Sequence, residues 1–140
     1  MNAGLLLDTN VISETARPAP NVGVLEFIDA QGEAFISAIT VYELERGVER
    51  LPAGKRRRSL EEWLALTLAG PHGVLAFDAA TARSAARLEA QLRKGGRAIE
   101  TRDLFIAATA LTHNLTLVTH NIGDFLGTGA VVIDPFARAD

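Results

Sequence analysis

Seven polar side chains stand where an α/β chain can do chemistry: Asp8, Glu43, Asp78, Asp103, His120, Asn121 and Asp124. The carboxylates set the question. Two ionised carboxylates about 5 Å apart repel by roughly 3 kcal/mol at an effective dielectric of about 20. Three such pairs approach ~10 kcal/mol, comparable with the whole stability of a small domain. If Asp8, Glu43 and Asp103 meet, they need arginine, lysine, protons or a hard cation between them. Oxygen donors alone favour Mg²⁺, Mn²⁺ or Ca²⁺ over zinc. The absence of cysteine points the same way and removes thiolate ligands, disulfides and cysteine nucleophiles together. Mg²⁺ retains several waters, which places a nucleophile beside a bound phosphate.

Taken singly, each acid has an ordinary structural reading. Asp8 caps the helix that follows it, and Asp78 caps a helix over 79–94. Asp103, two residues after the candidate cap Thr101, sits where the helix dipole favours an acid. Glu43 lies on the flank of an apolar stripe and faces solvent. Function enters only jointly, because acids at the carboxyl ends of neighbouring strands converge on one crevice. The histidines say less: His72 reads as a loop residue and His113 as a helix-end cation, while His120 falls inside the candidate cleft. Gly95-Gly96 lacks the spacing of a phosphate-binding loop.

The elements that must position these residues are short. Gly4–Asp8 reads as a buried strand of continuous apolar character, with Thr9, Asn10 and Ser13 offering helix-starting chemistry after it. Pro18 and Pro20 interrupt the chain, and Asn21 caps a helix to about Gln31. Ala34–Ser37 is a second strand, followed by a helix whose Val41, Leu44, Val48 and Leu51 form one stripe. A further helix runs to about Ala69 on Leu60, Trp63, Leu64 and Leu68, and Gly70-Pro71 ends it. Val74–Phe77 is a third strand, and the helix over 79–94 stops at Gly95-Gly96. Asp103–Leu111 is apolar all round and so buried on most sides. Leu115–Val118 and Val131–Ile133 complete five strands. The alternation predicts a mainly parallel sheet flanked by helices on both faces, in one domain spanning 1–140, with Ala137–Asp140 loose.

Composition narrows the class. The 140 residues are 48% apolar and 22% charged, an ordinary globular balance. Leu5-Leu6-Leu7 is cut off by Asp8, too short for a signal-peptide core or a membrane span, so a soluble cytoplasmic protein is expected. A net charge of −3 argues mildly against nucleic acid as partner. Lys55-Arg56-Arg57-Arg58 is nevertheless a basic run, either a nucleic-acid contact or a solvated helix start, and Arg46, Arg50, Arg93, Lys94, Arg97 and Arg102 add further cations.

Four segments together resemble a known family. Leu5–Glu14, Thr40–Gly47 with Glu43, Arg102–Ala110 with Asp103, and Leu117–Phe125 resemble, in order and spacing, the four motifs of bacterial PIN domains. The similarity is to VapC-type toxins of the FitB-like subgroup. The resemblance runs over about residues 4–135. It implies an endoribonuclease dependent on Mg²⁺ or Mn²⁺, with Asp8 and Asp103 as principal metal ligands and Glu43 and Asp124 binding metal directly or through water. Thr9, Asn10 and Thr119 would support those acids, with Asn121 a polar assistant. Arg46, Arg50, Arg102 and His120 are candidate RNA contacts. Where many relatives carry the fourth acid this chain has Asn121, so that role falls to Asp124; where relatives often carry arginine it has His120. The family also implies a homodimer and a cognate VapB-like antitoxin covering the cleft.

Two other readings use the same residues. One is a PIN-like binding module that keeps the fold without cleaving. The other is a phosphoryl-transfer enzyme with an aspartate nucleophile; such folds use a late strand-end lysine, and the chain has only Lys55 and Lys94.

Overall fold

A computed structural model describes residues 4–30, 33–70 and 72–138. The strands are β1 (Leu5–Leu7), β2 (Ala34–Ser37), β3 (Gly73–Leu75), β4 (Thr116–Val118) and β5 (Val132–Ile133). The helices are α1 (Thr9–Glu14), α2 (Val22–Ala30), α3 (Ala38–Glu49), α4 (Lys55–Ala69), α5 (Ala79–Lys94) and α6 (Thr101–Thr112). The strands form one sheet in the order β3-β2-β1-β4-β5, and every pair is parallel. The expected α/β class with a five-stranded sheet therefore holds.

Side chains alternate across that sheet, as the two-residue period of a strand requires. Leu6 and Leu117 face one way and pack with Ala85, Leu88, Leu92, Leu104 and Ile106 of α5 and α6. Leu5, Leu7, Ile36 and Val118 face the other way, against Val11, Val24, Leu44, Val48 and Leu64 of α1 to α4. Both faces of β1 are thus covered, which explains why its three residues are all leucine and all buried.

The order of the strands decides where a ligand goes. From β1 the chain steps outward to β2 and β3, then returns to the opposite side of β1 as β4. The crossovers therefore diverge between β1 and β4, and a crevice opens at the carboxyl ends of those two strands. Asp8 follows β1 and Thr119 follows β4, so both stand at that point.

Some element ends differ from expectation. β3 starts at Gly73 and stops at Leu75, since an edge strand has only β2 to hold it. Thr101 is not a cap: α6 begins there, Glu100 is the capping residue, and its side chain makes no capping bond. The basic run opens α4, in keeping with a solvated helix start, although the helix dipole disfavours cations there. Arg57 offsets this by pairing with Glu49 at 3.0 Å and Glu61 at 3.4 Å and by donating to Leu51 O. Asn21 caps α2 as expected, its Oδ1 accepting from Val24 N at 3.0 Å. Gln31, Pro71 and residues 139–140 lie outside the described residues.

Candidate active site

Asp8 is fully buried at the mouth of the crevice. Its carboxylate caps α1, accepting from Thr9 N at 2.8 Å, but this is only part of its coordination. Oδ2 also accepts from Thr119 Oγ1 at 2.8 Å and from Asn10 Nδ2 at 3.4 Å. Asn10 Nδ2 reaches Thr119 Oγ1 as well, at 3.2 Å, and Asn10 Oδ1 accepts from His120 N at 3.0 Å. The loops after β1 and β4 are therefore stitched together around one carboxylate. Burying an ionised group is tolerable only when it is hydrogen-bonded and paired.

Its counter-charge is Arg102, from the first turn of α6. Nη1 and Nη2 donate to both oxygens of Asp8. Nε and Nη2 donate to Oε2 and Oε1 of Glu43, each at 2.9 Å, and Nη1 donates to Asp103 Oδ1 at 3.0 Å. Thr9 Oγ1 donates to Glu43 Oε1 at 2.5 Å and lies 3.1 Å from Thr40 Oγ1, so α1 and α3 are tied at the same spot. Asp8, Glu43 and Asp103 thus converge on one guanidinium. Glu43 faces the crevice and not solvent, because the turn of α3 that follows β2 points it there.

The charges respond to this setting. Burial pushes Glu43 up, but hydrogen bonds from Arg102 and Thr9 and the charges of Arg102 and Arg46 outweigh it, so its carboxyl lies below the ordinary value. Asp103, only 9% exposed, goes the other way. Burial raises it, and the negative charges of Asp124 and Asp8 add to that against the help of Arg102. Arg102 loses some proton affinity to burial, yet Glu43, Asp8 and Asp103 together raise it above an already high value.

Asp124 stands in a 3₁₀ turn, Ile122–Phe125, after β4. It shares a 290 Å³ cavity with Asp103, Glu100 and Arg97. Among the described residues Asn121 enters through its main chain, donating to Thr119 Oγ1 at 3.1 Å. His120 is half exposed; its ring packs on Phe136 with centroids 4.3 Å apart, and Nδ1 lies 3.3 Å from Asp134 Oδ2. No pattern in the sequence marks Asp134 as its neighbour. Arg46 lies over the Tyr42 ring at 5.8 Å and lines a second cavity of 450 Å³ with Glu43 and Arg102. Arg50, at the end of α3, is exposed and has no side-chain partner among the described residues. Asp78 keeps its ordinary reading as the cap of α5, accepting from Thr81 N at 3.0 Å and Thr81 Oγ1 at 2.9 Å.

Among the described residues, no three acids or histidines stand close enough as arranged to share a metal ion. The guanidinium occupies the point on which Asp8, Glu43 and Asp103 converge. The acid donors there are oxygens throughout, a set whose chemistry suits a hard divalent cation.

Comparison with known proteins identifies the family. The family model of the PIN domain matches residues 5–126. The chain is 45% identical to the plasmid stability protein StbB of Pseudomonas syringae pv. tomato, covering 94% of this chain and 98% of that one. It is 42% identical to VapC ribonuclease Y4jK of Sinorhizobium fredii, covering 96% and 99%. Among solved structures, FitAcB from Neisseria gonorrhoeae superposes with a TM-score of 0.85 at 40% identity, over 94% of this chain and 98% of that chain. A shared fold, a match to the family model over most of the chain and identities of 40% to 45% make one conclusion: the chain belongs to the PIN-domain family, in its VapC-type, FitB-like branch.

Proposed function

We propose that the chain is a metal-dependent endoribonuclease toxin that hydrolyses RNA phosphodiester bonds in the crevice between β1 and β4, over a single domain of residues 1–140. The convergence of Asp8, Glu43 and Asp103 on one cation position carries this reading. It accords with relatives named as VapC ribonucleases and with a relative named as a tRNA(fMet)-specific endonuclease.

Asp8 and Asp103 would be the principal ligands of Mg²⁺ or Mn²⁺, with Glu43 and Asp124 bound directly or through water. When bound, the ion would supply positive charge and an acidified water beside the scissile phosphate. The protein's own groups do the rest. Thr119, Asn10 and the Thr9 N–H fix the two oxygens of Asp8, so the carboxylate needs no reorganisation to act. Glu43, whose carboxyl Arg102, Thr9 and Arg46 hold below the ordinary value in the free protein, would exchange the contact with Arg102 for the cation or its water shell. Arg46 and the released Arg102 then lie beside the crevice for RNA phosphates, with His120 at its rim and Arg50 one turn beyond Arg46.

Several solved relatives are toxin–antitoxin complexes, FitAB and VapBC among them, some with DNA bound. A cognate antitoxin covering the cleft, a homodimeric toxin and a cytoplasmic setting belong to the same proposal. Among the described residues no helix is long and apolar enough to cross a membrane.

The aspartate-nucleophile reading has no support in the geometry. Asp8 is fully buried and both its oxygens are engaged, while Lys55 opens α4 and Lys94 ends α5, away from the strand ends. The silent binding module is separated by experiment. Purified protein, free of any partner, is incubated with a mixed RNA pool in Mn²⁺ or Mg²⁺, in EDTA, and beside Asp103→Asn. Fragments that need metal and vanish in the variant support the nuclease. A folded protein that binds Mn²⁺ and cuts no RNA in the pool overturns general endoribonuclease activity and favours the silent module.

A further inference from the structure

One cation at the cleft is not consumed by the acids. Arg97 lies in the loop between α5 and α6 and pairs with no carboxylate among the described residues. It is nevertheless held in place. Its main-chain N–H donates to Leu92 O at 2.8 Å, closing α5, and its Nη1 donates to Leu126 O at 2.5 Å.

The facing backbone is shaped to admit it. Gly127 has φ of +82°, a conformation that other residues adopt only under strain. A Cβ at that position would stand 2.9 Å from Nη1 and 3.1 Å from Cδ and Cζ of Arg97. Glycine therefore meets two demands at once, the turn and the close passage of the guanidinium. The turn alone requires glycine, and the guanidinium adds the close approach. A guanidinium carries five N–H donors in a rigid fork, and Leu126 O accepts from only one of its groups.

The surroundings say what the others are for. Arg97 shares the 290 Å³ cavity with Asp103 and Asp124, the acids next to which a scissile phosphate would be cleaved. Residues 97–99 also line a hollow of 280 Å³ together with Gly96, Arg93 and Glu89, whose carboxylate lies 3.8 Å from the Arg93 guanidinium. The two hollows share Arg97, Ala98 and Ile99 in their linings, so Arg97 stands between the acid cleft and a hollow that holds Arg93. A strand with one negative charge per nucleotide is repelled by Asp103 and Asp124 except where a cation faces it. Planar bidentate recognition of phosphate is what a fixed guanidinium does best.

Resting on the nuclease reading above, we propose that Arg97 is a positioning residue, binding the RNA phosphate adjacent to the one that is cleaved and setting the path of a single strand out of the cleft. It touches a neighbouring phosphate, not the reacting atoms, so its removal weakens binding more than turnover.

The test uses the full chain and a short, labelled single-stranded RNA. Binding is followed by fluorescence anisotropy in EDTA over a range of salt, and cleavage kinetics are followed in Mn²⁺. Arg97→Ala should bind about tenfold more weakly, the size of one charge-assisted hydrogen bond. Its plot of log affinity against log salt should be shallower by about 0.7, the contribution of one phosphate contact on a single strand. KM should rise accordingly while kcat stays within about twofold. Arg97→Lys keeps the charge and should restore the salt slope, whatever it does to the contact with Leu126. Arg17→Ala, remote from the cleft and paired with Glu14, is the control that should change nothing.

An unchanged affinity and slope in Arg97→Ala overturns the proposal. So does a loss shared equally by Arg97→Ala and Arg97→Lys and tracking a lowered Tm, which would make Arg97 a loop tie only. A parent that neither binds nor cuts RNA overturns the nuclease reading and this proposal with it. A parent that does both, beside an unaffected Arg97→Ala, removes this proposal alone.

Discussion

Arg102 and Glu43 meet fork to fork across the cleft, Nε to Oε2 and Nη2 to Oε1, both at 2.9 Å. The same guanidinium also serves Asp8 and Asp103. One positive charge thus faces three carboxylates, and the cluster remains net negative. That imbalance raises the affinity of Arg102 for its proton, and it leaves a standing attraction for a further cation. The arrangement that neutralises the acids in the free protein is therefore also the one that the proposed divalent ion would rearrange.

Replacing Arg102 by methionine should separate these two effects. In EDTA the variant loses the neutralising charge among partly buried acids, and its stability should fall by about 3 kcal/mol, the lower end for breaking such a pair. In Mn²⁺ the competitor is gone, so half-saturation should come at about tenfold lower concentration, and the Tm gain from metal should exceed that of the parent. Thermal melts against Mn²⁺ concentration measure both. A variant whose metal response matched the parent's would show that Arg102 and the ion do not share the site.

Thr119 is the second hinge of the cluster. It is fully buried; its hydroxyl donates to Asp8 Oδ2 and accepts from Asn10 Nδ2 and Asn121 N. Thr119→Val keeps the shape and deletes all three bonds, leaving a buried carboxylate one donor short. The expected loss is about 2 kcal/mol, the range for an unsatisfied buried polar group. Mn²⁺ affinity should fall as well, because Asp8 is no longer held at a fixed orientation. Urea unfolding in EDTA and Mn²⁺ titration check the two parts; a stability equal to the parent's would sink the argument.

What the sequence could show of this cluster follows from how local its signals are. An apolar strand that ends in an acid is visible in five residues, so Asp8 and the sheet around it can be read directly. Asp103 is legible for a similar reason, since an acid at the head of a helix that is apolar all round stands out within one turn. The return of Arg102 onto Asp8 spans 94 residues and depends on three carboxylates being brought together by the sheet, which no local pattern records. From its neighbours in sequence, Arg102 therefore reads as a candidate RNA contact and not as the counter-charge of the acids. Helical periodicity alone turns Glu43 toward solvent, because the stripe locates the core and says nothing of a cleft. Thr101 fails as a cap because a preference for Ser or Thr cannot register that α6 is capped one residue earlier, at Glu100, without any side-chain bond. Gly127 and Arg97 lie 30 positions apart and carry no shared motif, so their fit is visible only in the fold.

Asp78 tests the boundary between structural and functional acids. Its carboxyl lies below the ordinary value, chiefly because the Thr81 N–H donates to it, then through the Thr81 hydroxyl; the burial that opposes this is smaller. A depressed folded-state value means that the cap stabilises the protein above the ordinary carboxylate range and loses that contribution as pH falls through the lowered value. Asp78→Ala should therefore lower Tm at neutral pH, and the gap to the parent should close as the solution is acidified below the carboxylate range. Asp78→Asn retains an acceptor for Thr81 and should recover part of the loss with no such closing. Cleavage of RNA should be unchanged in both variants, since Asp78 follows the edge strand β3, with β2 between it and β1. Melting curves from acid to neutral pH, beside the Mn²⁺ cleavage assay, decide it: a folded Asp78→Ala protein that cannot cut RNA would move Asp78 from the scaffold into the site.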